Sequence, residues 1–366
     1  MKRILILCEV LAAAAVAGAL LLALPGCGPG KHVDYRIAVV PKGLTHEFWQ
    51  SIHRGADRAA ADLKAEDGLD VEILWDGPSK ESDEQEQITI IDQKSSQGIH
   101  GLVLAPQHSK ALVPSVERCV KSNIPVVIID SGLDPAALKK KPDLIVKYVA
   151  TDNYDGGWLA AEELVNLLEK EGKKDPRLVL FRYQVGSEST EQREEGFLGR
   201  VQRFNEKDGK KIKVVSDNVY AGATVESAEK EAGPLLNKLG ADGADGIFAV
   251  NESATSGMLN ALRSQKLNKK IRLVGFDSSA PLLQAVREGD VDGLVVQDPY
   301  RMGYLGVWTL VQHLRGYDVN RDHEPLGTGE FYLTKGNIND DEMKGKFAAE
   351  FQAKRKIDRP TFPKKK

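Results

Sequence analysis

Apolar runs of strand length, separated by segments of helix length, constrain this chain more than any other feature. Strand candidates stand at 36–40, 70–75, 101–106, 125–130 and 144–151, and a second set at 177–183, 211–218, 245–251, 271–277 and 292–298 repeats the arrangement. Such alternation builds parallel sheets with helices on both faces, and strands this uniformly apolar suit sheets covered on both sides. With 366 residues, 42% hydrophobic and 28% charged, the chain is long enough for two such lobes. The expected fold class is therefore α/β, with two doubly wound parallel-sheet lobes.

The carboxyl ends of these runs are polar. Asp130, Asn251, Asp277 and Gln297 each end one. A single strand-end Asp commonly caps the next helix. Several of them across both halves point to a shared cleft, because ligands collect at the carboxyl ends of parallel strands.

The first 30 residues have a different character. Lys2 and Arg3 precede an apolar run, and small residues surround Cys27 in LPGC. That is the layout of a secretory signal over residues 1–26, with Cys27 as the expected lipidation site that tethers the protein to a bacterial membrane. Pro25 and Glu9 are unusual for such a leader, and the alternative is an uncleaved anchor. The run from Val10 to Leu24 is shorter than the ~20 residues of a spanning helix. Removing Lys2, Arg3 and Glu9 with the leader leaves 48 basic and 52 acidic side chains, a charge of −4. This balance gives no footprint for nucleic acid. Loss of Cys8 and lipidation of Cys27 would leave Cys119 as the one thiol, so no intrachain disulfide forms. Cys119 reads as a small core residue.

Three segments imitate catalytic motifs. HEFWQ (46–50) has Gln50 where a zincin needs its second histidine. GCGPGK (26–31) has no strand before it and lacks the closing Ser or Thr of a phosphate-binding loop. VGSES (185–189) has no second glycine and no recognisable triad partner. No enzyme, metal or cofactor is called for.

The ordered set FWQSIHRGA (48–56), VVIIDSGL (126–133), VATDNYDGG (149–157), EQREEGF (191–197), FAVNESATSG (248–257), LVGFDSS (273–279) and GLVVQDPYRMG (293–303) resembles the ribose-type periplasmic sugar-binding proteins of ABC transporters. The resemblance spans residues 35–335. It implies a type I periplasmic binding fold, with lobe one at 35–150 plus 298–325, lobe two at 151–297 plus 326–336, and a three-crossover hinge between them. Residues 337–366 would form a charged tail, helical over 340–356 and mobile over its last ten residues. The same fold underlies LacI-type repressors, but a signal stands where their helix-turn-helix would be.

A sugar ring has hydroxyls at its rim and C–H faces, so its site needs aromatic platforms and planar hydrogen-bonding groups. Phe48 and Trp49 at the mouth of the first strand are suited to the first role, although neighbours in a helix point about 100° apart. The resemblance implies sugar contacts from Asp130, Arg193, Asn251, Asp277 and Gln297. Asp130 and Arg193 are expected to stay hydrated in an open cleft. His46, Ala105, Ser131 and Ala223 depart from the ribose-binding pattern, which has Asn at the first two positions, Arg at the third and an aromatic at the fourth. His46 and Ser131 are kept as candidate contacts, and the ligand is left as a sugar or sugar alcohol. The implied partner is an ABC transporter permease, with a sensor kinase or chemoreceptor as the alternative, and the protein is expected to be an extracytoplasmic monomer.

Overall fold

A computed structural model describes residues 32–365. The leader and Cys27 lie outside the described residues. Lobe one begins with β1 (Tyr35–Val40), α1 (Glu47–Asp67), β2 (Val71–Trp75), α2 (Glu84–Ser96), β3 (Gly101–Leu104), α3 (Val113–Lys121), β4 (Val126–Ile129), α4 (Pro135–Lys140) and β5 (Lys147–Ala150). Lobe two follows as α5 (Asn153–Lys170), β6 (Arg177–Arg182), α6 (Glu188–Lys207), β7 (Lys213–Tyr220), α7 (Val225–Leu239), β8 (Gly246–Ala249), α8 (Glu252–Ser264), β9 (Arg272–Phe276), α9 (Ala280–Glu288) and β10 (Gly293–Val296). The chain then returns to lobe one as α10 (Pro299–Leu314) and β11 (Leu326–Gly327), and crosses again to β12 (Phe331–Leu333). It ends with α11 (Asp341–Phe347) and α12 (Ala349–Gln352).

The described strands form two six-stranded sheets of matching order, β2-β1-β3-β4-β5-β11 and β7-β6-β8-β9-β10-β12. Nearly all neighbours run parallel; β12 pairs with β10 antiparallel. Every residue of β3, β4, β8 and β10 is buried, as sheets covered by helices on both faces require. Separate apolar clusters fill the two faces of each sheet. Cys119 is buried in one of them.

In each lobe, the helix that enters after a crossing packs backbone-close on the helix that follows the first strand. A Cβ on Gly55 of α1 would stand 2.0 Å from the Tyr300 carbonyl oxygen of α10. A Cβ on Gly157 of α5 would stand 1.9 Å from that of Arg193 in α6. Only glycine permits either approach.

The end of the chain differs from expectation in two respects. Leu326 and Gly327 pair with Val149 and Ala150 of β5, so the last strand crossing comes after 327, and a lobe-two segment starting at 326 begins too early. The tail also does not form one helix with a mobile end. Ala348 is extended (φ −89°, ψ 121°) and divides it into α11 and α12. Beyond α12, Ile357 and Phe362 join the lobe-one core, Pro363 accepts the Asp318 amide at 2.7 Å, and Lys364 bridges to Tyr317. Prolines at 360 and 363 keep this stretch extended, and its scattered apolar residues supply the burial that its charged composition hides. Because Met343 and Phe347 pack on lobe two, the tail is a strap that touches both lobes. Among the described residues, no helix is long and apolar enough to cross a membrane.

Candidate functional site

The carboxyl ends of both sheets face one another across a cleft. Asp130 follows β4 and Asp277 follows β9, equivalent strands of the two sheets. Both residues hold left-handed backbone, with φ of 64° and 68°. Non-glycine residues adopt this region at a cost and mostly where the surroundings impose it, often at functional sites.

Around Asp277 the bonds lie within lobe two. Gln297 Nε2 donates to Asp277 Oδ1, and the amide of Glu252 donates to Oδ2 at 3.2 Å. The Arg193 guanidinium lies 4.0 Å from Oδ2 and 3.7 Å from the centre of the Phe276 ring. It donates to Asn153 Oδ1 at 2.9 Å and to the Val250 carbonyl at 3.0 Å. Arg193 is 2% exposed, and burial lowers its pKa below the usual guanidinium value while raising that of Asp277. In this shut arrangement Arg193 is thus buried among partners of its own lobe, whereas the expectation of a hydrated side chain concerns the open cleft. Asn251 caps α8, accepting the Ala254 amide at 3.1 Å, and also lines the cavity. The capping and cleft readings of this strand end therefore both hold.

On lobe one, Lys42 Nζ lies 3.0 Å from Asp130 Oδ2 and donates across the cleft to Ser187 Oγ at 3.4 Å and Ser189 Oγ at 3.3 Å. All three ammonium protons have acceptors. His46 is the N-cap of α1 but makes no side-chain cap bond. Its ring is turned into the cleft, with Nδ1 2.7 Å from Glu252 Oε2 of lobe two and Nε2 3.7 Å from Glu81 Oε1. Burial opposes charging of His46, but the bond to Glu252 and the charges of Glu81, Glu252 and Asp277 outweigh it and raise the pKa from 6.5 to about 9. Glu81 accepts from Trp49 Nε1 at 2.7 Å and, across the cleft, from the Tyr183 hydroxyl at 2.9 Å.

Phe48 and Trp49 meet edge to face, with ring centres 4.9 Å apart at 89°. Both reach the cavity, and their rings touch although neighbours in a helix start about 100° apart.

All the predicted contacts except Ser131 line this cavity. Ser131 lies behind Asp130, where its hydroxyl accepts the Ser189 amide at 3.1 Å; its contact is therefore with the opposite lobe and not with the cavity. Sequence reasoning missed Lys42, Glu81, Tyr183, Ser187, Ser189, Thr190 and Glu252. Lys42 lies two residues beyond β1, and the two serines follow β6. The strand-end rule applied to Asp130 could have found them.

The cavity measures about 40 Å³, little more than one water's share of liquid volume. The lobes are shut on their own side chains. A larger ligand must take over the acceptors and donors that Lys42 now spends on Ser187 and Ser189 and His46 on Glu252.

A family model described as a periplasmic binding protein domain matches residues 37–318. The chain belongs to the periplasmic binding protein family. This periplasmic binding protein is 28% identical to a D-ribose/D-allose-binding protein of Pseudomonas aeruginosa over 81% of its own length and 86% of that protein's. Among solved structures, it superposes with a TM-score of 0.74 and 32% identity on a carbohydrate transporter solute-binding protein of Agrobacterium radiobacter in complex with D-arabinose. That match covers 86% of this chain and 98% of the other. An ABC transporter solute-binding protein of Agrobacterium vitis with bound D-fucose gives 0.74 and 30% identity, covering 85% and 99%.

Proposed function

We propose that this periplasmic binding protein captures a sugar or sugar alcohol between its lobes and delivers it to an ABC transporter permease. It does so outside the cytoplasm, as a monomer tethered through lipidated Cys27. One observation carries the reading: equivalent strand-end carboxylates, Asp130 and Asp277, face a single cavity from opposite lobes, each with a cation beside it and with the Phe48 and Trp49 rings at hand. Carboxylates accept from vicinal hydroxyls with charge-assisted strength, guanidinium and amide groups meet the remaining rim oxygens, and aromatic rings cover the C–H faces. The bound sugars of the related structures support the same class of ligand.

The test is mass spectrometry of small molecules released by denaturing purified protein, followed by calorimetry with D-arabinose, D-ribose, D-fucose, D-allose and myo-inositol. Release of a pentose, hexose or polyol that rebinds is expected. No released polyol and no heat with any probe would sink the reading. The tether is checked separately: Cys27→Ser should abolish partition into detergent, and unchanged partition would overturn that part alone.

A further inference from the structure

A second cavity of about 360 Å³ adjoins the shut central one and shares Phe48, Asp277 and Gln297 with it. Its volume falls within the range of small-molecule sites, about 300–1,000 Å³. Part of its wall belongs to the strap, through Lys346, Phe347 and Ala349. The strap's polar anchors there are on lobe one. Arg355 Nη2 and Lys346 Nζ lie 2.7 and 3.5 Å from the carboxylate oxygens of buried Asp298, and buried Gln352 donates to Ser51 Oγ at 2.9 Å.

The lining has the mixed chemistry of a saccharide site. Phe48 and Phe347 supply aromatic surface, and Glu47, Gln50 and Arg54 supply planar acceptors and donors from α1. Gln297, 4% exposed, stands in the shared wall with Nε2 committed to Asp277 and Oε1 without a partner. A buried amide oxygen with no donor is costly, and a hydroxyl at the junction of the two cavities would satisfy it. Glu47, Gln50, Arg54 and Ala349 are exposed, so the side cavity opens to solvent.

We propose that the side cavity is a second sugar subsite, formed by the C-terminal strap, which holds the next ring of a disaccharide or glycoside whose terminal ring occupies the central cleft. This rests on the sugar reading of that cleft. Phe48 then serves both rings, and the linkage passes Gln297.

Calorimetry on the purified full-length chain tests it, using D-galactose, D-glucose and D-allose beside their methyl glycosides and the disaccharides lactose, melibiose, cellobiose and maltose. At least one disaccharide should bind tenfold or more tightly than either of its constituent monosaccharides. Ala349→Trp, which fills the side cavity from its exposed rim, should remove that gain and leave monosaccharide affinity unchanged. Phe347→Ala should weaken the disaccharide alone. Monosaccharide binding with no gain for any disaccharide would overturn the subsite and leave the sugar reading intact. A gain that survives both substitutions would also overturn it, by locating the second ring elsewhere. If none of these binds and none of the pentoses, D-fucose or myo-inositol does either, both proposals fall together.

Discussion

The two lobes have the same strand order and the same left-handed Asp at the end of an equivalent strand, yet they secure their polar groups differently. In lobe two, Arg193 is held by Asn153, Val250 and Phe276, all of the same lobe. In lobe one, Lys42 and His46 reach across to Ser187, Ser189 and Glu252. The Arg193–Asp277 cluster of lobe two is therefore complete within its lobe, whereas Lys42 and His46 of lobe one complete their bonding only across the cleft. Separating the lobes would strip Lys42 and His46 of these partners and leave Arg193 with all of its own.

The largest effect that could break this contrast is expected at Arg193. Arg193→Ala leaves Asp277 and the Val250 carbonyl buried without their cation, and removing one member of a buried pair costs roughly 3–5 kcal/mol. Sugar-free thermal and denaturant melts should show a loss of that order. A loss below about 0.5 kcal/mol would mean that Arg193 is no more integral to its lobe than Lys42 is.

Asp130 should behave differently. Asp130→Ala removes a carboxylate whose ion-pair partner, Lys42, lies at the cleft. A charge-assisted bond contributes about 1.5–3 kcal/mol, so affinity for the rebinding sugar should fall about ten- to a hundredfold while sugar-free stability changes less than with Arg193→Ala. Calorimetry and melts on both variants give the comparison; equal stability losses would erase the distinction between the lobes.

The smallest predicted effect is on pH dependence. His46 has a pKa of about 9 when closed against 6.5 when free. Its contribution to the closed state is thus fully present below pH 6.5 and is lost as pH rises through 9. Melting temperature followed from pH 6 to pH 10 should decline over that window, and His46→Gln should flatten the decline. An unaltered slope in the variant would assign the decline to another group.

Much of this was legible in the sequence because strands and ligand groups share a rule. A buried parallel strand is an apolar run, and the polar residue that ends it faces the cleft; this marked Asp130, Asn251, Asp277 and Gln297. Glu81 was not legible, since it lies in the polar stretch GPSKESDEQE, where no periodicity separates a cavity residue from a solvated one. Tyr183 stands at the end of a strand candidate, and its hydroxyl meets Glu81 only through the fold. The serines of VGSES imitate a nucleophile motif, although their place after β6 is the informative feature. The strap was hidden for a different reason: charged residues dominate its composition, and the few apolar side chains that anchor it have no helical or strand period.

Small-angle scattering tests the central claim most directly, by comparing the native chain without sugar, the native chain saturated with the sugar recovered from it, and a sugar-free His46→Ala/Tyr183→Phe variant that lacks two cross-cleft bonds. Lys42 and His46 complete their bonding only on closure, so both native states should be compact and the sugar-free variant should have the largest radius of gyration. Identical radii in all three states would contradict it, because Lys42 and His46 would then owe their positions to a rigid body and not to the meeting of two lobes.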